Sequence, residues 1–199
     1  MQCKLGKFCA VLVLLTGVAV GQEKAAKAAA NGARDVCSLV SSAEFQAVQG
    51  EAFRATQPNV QNNGAFDVYQ CFYTAPTFSK SVALEVIRQK QAPGATKVRK
   101  FWSEKFHHRA SAEEQDDKTE RGKPSTRAAA REENEEEHSS LRPVAGVGEE
   151  AYWTGTGIGA ALYVLQGERI LRVSIGGPET EDAKIRKATV LAQDALRRM

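Results

Sequence analysis

Arg169-Ile170-Leu171-Arg172-Val173-Ser174-Ile175 decides the fold class. Leu171, Val173 and Ile175 fall on one face of a strand, and Arg172 and Ser174 on the other. One apolar and one polar face belong to an antiparallel sheet that is covered on one side. Gln166-Gly167-Glu168 turns the chain back from an earlier strand, Ala161 to Leu165. Gly176-Gly177-Pro178 ends the second strand. Beyond it, Ile185, Ala188, Ala192, Ala195, Leu196 and Met199 share one helical stripe, which predicts a C-terminal helix across the sheet.

Working upstream, Val82, Leu84 and Val86 alternate with Ala83, Glu85 and Ile87 in another strand. Val68, Tyr69, Phe72 and Tyr73 build a strand around Cys71, and the loop of residues 75–80 (APTFSK) joins the two. Asn62-Asn63-Gly64 marks a turn. Ser41-x-x-Glu44 is a capping-box pattern, with Phe45 and Val48 at helical spacing and Gly50 as a stop. A short helix over about 42–49 follows. Glu150-Ala151-Tyr152-Trp153 leads into a glycine-rich run with Gly155, Gly157 and Gly159. The predicted fold is α+β: a two-layer antiparallel β-sheet with a short N-terminal helix and a C-terminal helix packed on one face.

The first residues read as an export signal. Lys4 and Lys7 precede an apolar run from Phe8 to Val20, too short to span a bilayer comfortably. Ala19-Val20-Gly21 sets small residues three and one before a cut ahead of Gln22. The rival is a buried N-terminal helix, but a polar Ala/Lys stretch follows where more core would be needed. Residues 1–21 are therefore assigned as a signal peptide, and the protein as exported, periplasmic or secreted, with no transmembrane segment in the mature chain. Cys9 follows Phe8, which is not the small residue a lipoprotein signal requires.

Of four cysteines, only Cys37 and Cys71 outlast that cut. In an oxidising compartment the pair predicts a disulfide, stabilising by about 4 kcal/mol in the chain-entropy model. A reactive thiol or half of a metal site is the rival. No C-x-x-C exists and no His neighbours either cysteine in sequence.

Charge is uneven along the 199 residues, although the net is only +3. Residues 22–34 are Ala- and Lys-rich without a large apolar group and read as a disordered tether. Residues 111–140 hold ten acids and five bases and nothing apolar larger than alanine. This acidic insert cannot bury enough area to offset its ordering entropy and reads as a solvated loop, interrupting a single domain over 35–199. Its acids lack the spacing of a calcium loop. The balance of charge is wrong for a dedicated nucleic-acid binder.

A search for chemistry finds no G-x-S-x-G elbow, no H-E-x-x-H and no P-loop. Gly155-x-Gly157-x-Gly159 lies among strand patterns and reads as a β connection, or else as an anion-binding nest. His107-His108, with Glu104, make a poor chelate because neighbouring side chains on a helix diverge. No catalytic residue, metal site or cofactor is assigned. The distinctive segment is 96–109, TKVRKFWSEKFHHR. Val98, Phe101, Trp102 and Phe106 form an apolar stripe, and Lys97, Arg99, Lys100, Lys105 and Arg109 add five positive charges. Two readings stand. The stripe docks on the sheet and leaves its bases solvated, or Lys97, Arg99, Lys100, Phe101, Trp102, Lys105, Phe106 and Arg109 form a basic amphipathic binding element. The acidic insert follows directly and could fold back on it.

Three strings carry a resemblance: Asp35-Val36-Cys37-Ser38-Leu39-Val40-Ser41-Ser42-Ala43-Glu44, then Tyr69-Gln70-Cys71-Phe72-Tyr73, then Val144-Ala145-Gly146-Val147-Gly148-Glu149-Glu150-Ala151-Tyr152-Trp153. Together they resemble the secreted or lipid-anchored bacterial domains grouped as domain of unknown function 3558. They are more distantly similar to extracellular sensor domains of bacterial receptor kinases. The resemblance covers about 35–90 and 141–199, departs in the missing lipobox and the acidic insert, and implies fold and export without catalytic residues.

The expected function is an exported, non-catalytic binding domain of the bacterial cell envelope, with an envelope protein or a small ligand as partner. The alternatives are an envelope hydrolase or transferase, which requires a pocket with converging His, acid or Ser side chains, and a basic binder of anionic lipid or glycan.

Overall fold

The computed structural model describes residues 35–62, 64–91, 93–94, 96–107, 141–155 and 160–199. The expected signal peptide, tether and acidic insert lie outside the described residues, as do His108, Arg109 and most of the glycine-rich run.

The first helix with described bounds is α1, Ser42–Gln49, on the expected residues. Ser41 and Glu44 form the reciprocal capping box: the Glu44 amide donates to Ser41 Oγ (3.3 Å) and the Ser41 amide to Glu44 Oε2 (2.9 Å). Gly50 ends the helix at φ +79°, where a side chain would be strained.

Among the described residues seven strands then build one antiparallel sheet: β1 Ala55–Asn62, β2 Phe66–Thr74, β3 Val82–Gln89, β4 Leu141–Pro143, β5 Glu150–Thr154, β6 Ala161–Gln166 and β7 Arg169–Ile175. Their order is β1-β2-β3-β7-β6-β5-β4. Two meanders therefore meet at the centre, where β7 pairs with β3. Between β3 and β4 the chain forms a short α2, Val98–Trp102, that widens into a π turn, Ser103–His107. The C-terminal α3, Glu181–Leu196, crosses one face. The α+β architecture expected from the strand patterns is the one observed.

Side-chain alternation fixes the register. Cys71, Leu84, Val173, Leu162 and Trp153 stand directly opposite one another across five strands. All five are 0% exposed. Ala188, Leu191, Ala192 and Ala195 of α3 close over that face, and α1 adds Phe45. Three alanines in the stripe let the helix approach the sheet closely. Leu191, absent from the predicted stripe, takes the central place, while Ile185, Leu196 and Met199 pack half-buried at its borders.

Two edge strands were not anticipated. β1 reads ATQPNVQN, polar throughout and broken by Pro58, and it lies exposed along the sheet margin. Proline and polar side chains are what an edge tolerates. β4 is a three-residue strand on the opposite margin.

Cys37 and Cys71 are joined by a disulfide, with Cα atoms 5.1 Å apart. It ties the segment before α1 to the buried row. The Tyr73 hydroxyl donates to the Val36 carbonyl at 3.1 Å, and burial pushes that phenol's pKa up. Glu44 meets Arg198 at 2.7 Å, linking α1 to the end of α3. The Arg198 guanidinium, aided by the Ser41 amide, pulls the Glu44 carboxyl down from 4.5 to about 2.

A carboxyl whose folded pKa is depressed stabilises fully above its unfolded value. That contribution is lost as pH falls through the folded value. Denaturant unfolding of Glu44→Gln should therefore show a loss of about 1–2 kcal/mol at pH 7, allowing for solvent at this partly exposed pair. The difference from wild type should vanish between pH 5 and pH 2.

Candidate functional site

The basic segment is packed by its apolar side chains. Val98, Trp102 and Phe106 are buried to 1% exposure or less. They lie four residues apart, and the π turn brings Phe106 back into line with the other two. They cover Phe66, Leu165 and Ile170 on the sheet's second face, the face turned away from α3. Phe106 stacks on Tyr152 at 5.2 Å between centroids, and Phe101 meets Phe66 edge-on at 5.1 Å.

Its polar groups are tethered to the sheet as well. The Trp102 indole donates to Glu150 Oε2 at 2.8 Å, and His107 Nε2 meets the same oxygen at 2.8 Å. The His107 ring first, and the indole second, hold the Glu150 carboxyl below the ordinary range. Arg99 reaches Glu149 at 2.7 Å and Glu168 at 3.5 Å. Glu149 also accepts from the Gly167 amide at 2.8 Å, and this bond, with Arg99, keeps its pKa low. Lys105 sits 4.3 Å over the Tyr163 ring, and Lys100 pairs with Glu104 at 3.7 Å. Lys97 is exposed at the helix start. Of the eight residues singled out in this segment, Trp102 and Phe106 serve as core, Phe101 is half-buried, and Arg109 lies outside the described residues.

Beyond this small helix the second face carries a polar row. Asn59, Gln70, Glu85, Arg172 and Tyr163 are cross-strand neighbours. Asn59 donates to Gln70 Oε1 (3.3 Å), and Gln70 donates to Glu85 Oε1 (2.8 Å). Arg172 gives Nη1 to Glu85 (2.8 Å) and Nε to the Tyr163 hydroxyl (3.0 Å). Its Nη2 reaches Ser174 Oγ at 3.3 Å. The row is internally satisfied, as a partly buried network must be to avoid a desolvation cost.

The next row out, Phe72, Ala83 and Ser174, forms the floor of an open groove of about 560 Å³. Its wall is the 3₁₀ turn Phe78–Lys80, which presents Phe78 at 73% exposure, 6.3 Å from the Phe72 ring. Gly176 makes this wall possible. A Cβ there would stand 2.6 Å from the Ser79 carbonyl oxygen, so any side chain would push the turn away. Lys184 of α3 stands at the rim. A second hollow of about 380 Å³ shares Phe72 and continues over Gln57, Asn59 and Gln70 to the sheet edge.

The groove supplies rings, amides and hydroxyls. Ser174 Oγ donates to the Ala160 carbonyl and accepts from Arg172, and Ser81 Oγ accepts from the Ala75 amide. Among the described residues no group of three or more His, Cys, Asp or Glu is placed to hold a metal ion, and no helix is long and apolar enough to cross a membrane. Phe78 and Phe72 were read only as loop and strand residues. The available signal was an aromatic side chain inside the short hairpin loop of residues 75–80.

Trp102→Ala should lower stability by about 3–5 kcal/mol in denaturant unfolding, as deletion of a buried indole does. Lys100→Gln should change it by less than about 0.5 kcal/mol.

No protein family, curated protein or solved structure matches the chain.

Proposed function

We propose that this chain is an exported, non-catalytic binding domain of the bacterial cell envelope, and that the uncovered half of the second sheet face is its ligand surface. The signal-type N-terminus motivates export, and the Cys37–Cys71 disulfide is compatible with it.

The observation that carries the binding role is Phe78. Its phenyl ring, 73% exposed, overhangs a groove with a second aromatic ring in its floor, so two rings and several polar side chains converge on one concave surface. The charges in the adjoining row, Glu85 and Arg172, neutralise each other. The walls add the amides of Gln57, Asn59 and Gln70 and the hydroxyl of Ser79. Such a surface suits a small, uncharged ligand with one apolar face and hydroxyl or amide edges.

The test is an NMR screen of neutral polyhydroxylated and amide compounds against the protein beginning at Gln22. Hits should shift the amides of Phe72, Phe78 and Ser174. Phe78→Ala should remove those shifts while changing stability by less than about 0.5 kcal/mol. Hits that survive Phe78→Ala, or that map elsewhere, would contradict the assignment, as would a screen without hits at the groove.

A further inference from the structure

The opposite end of the two central strands carries a different cluster. Val82 pairs with Ile175 beside the groove, and six residues along, about 20 Å by strand rise, Arg88 pairs with Arg169. Both arginines alternate onto the α3 face, away from the groove. Like charges directly opposite in a sheet are destabilising.

Neither has an acidic side chain in ion-pair contact among the described residues. Asp67 stands across from Arg88 in register but makes no ion pair with it, and Glu168 turns to Arg99. The Arg88 guanidinium lies 5.1 Å over the Tyr69 ring, and its Nε is buried without a hydrogen-bond partner. Arg169 Nη1 donates to the backbone oxygen of Met199, the last residue of the sequence. Lys90, whose amine meets Asn62 Oδ1, completes the group. These three cations line a polar cleft of about 550 Å³ with Gln89, Gln91 and Glu168.

We propose that this cleft is an oxyanion site, taking a phosphate- or sulfate-type group between Arg88 and Arg169. Two guanidinium forks offer parallel N–H donors matched to tetrahedral oxyanions. An anion between them converts a repulsive cross-strand pair into two attractive ones. Lys90 adds a point charge at the side. The site is independent of the groove and would stand if the groove took no ligand.

The probe is inorganic phosphate, titrated at fixed ionic strength against chloride and followed by NMR shifts and by thermal unfolding. Phosphate should shift the Arg88, Lys90 and Arg169 signals and raise Tm beyond matched chloride. Arg88→Gln and Arg169→Gln should each weaken binding by about tenfold or more. Arg186→Gln, on the exposed side of α3, should leave phosphate binding unchanged. An equal Tm rise with chloride would reduce the effect to screening and overturn the proposal. So would shifts that persist in both arginine variants, or no shift at the cleft with millimolar phosphate.

Discussion

The structure depends on one row of apolar side chains, Cys71, Leu84, Val173, Leu162 and Trp153, all fully buried and in register across five strands. A strand has a two-residue period, so placing that row under α3 decides where every neighbour points. Gln70, Glu85, Arg172 and Tyr163 are then forced onto the other face. A one-residue slip of β2, β3 or β7 would drive Gln70, Glu85 or Arg172 under the helix. The disulfide strengthens the same row, because Cys71 is both a member of it and the anchor of the N-terminal segment.

The second face is divided by what covers it. Trp102 and Phe106 roof one half, held there by the indole and imidazole contacts to Glu150. The satisfied polar row forms the border, and the groove with Phe78 lies beyond. The boundary explains why the basic segment keeps its charges outside: its apolar stripe is used up on the sheet, while Arg99 and Lys105 lean back on Glu149 and the Tyr163 ring. Surface pairs of this kind add little stability each, so their main effect is on how the helix is oriented.

Much of this was legible in the sequence, and the exceptions have physical causes. The capping box located α1, and alternation identified both faces of β3 and β7. The cysteine count led to the disulfide. β1 escaped because an edge strand may be wholly polar and may hold a proline, so it carries no apolar alternation to find. The π turn escaped because helix periodicity barely distinguishes one widened turn from a regular one. The groove and the arginine pair escaped for another reason. Phe72 meets Phe78 through a turn held close by Gly176, and Arg88 meets Arg169 only once the order β3–β7 is known. Pairing between distant segments is not written in local pattern.

We propose that the polar row bordering the groove is kept for recognition and not for stability. Replacing a partly buried ion pair by apolar side chains is commonly neutral or stabilising, whereas breaking one partner is costly. The decisive measurement is therefore denaturant unfolding of the double variant Glu85→Leu with Arg172→Leu beside the two single variants. The account predicts that each single variant is destabilised while the double variant unfolds within about 1 kcal/mol of wild type or above it. A double variant as unstable as the worse single one would contradict it and make the row a structural element of the sheet.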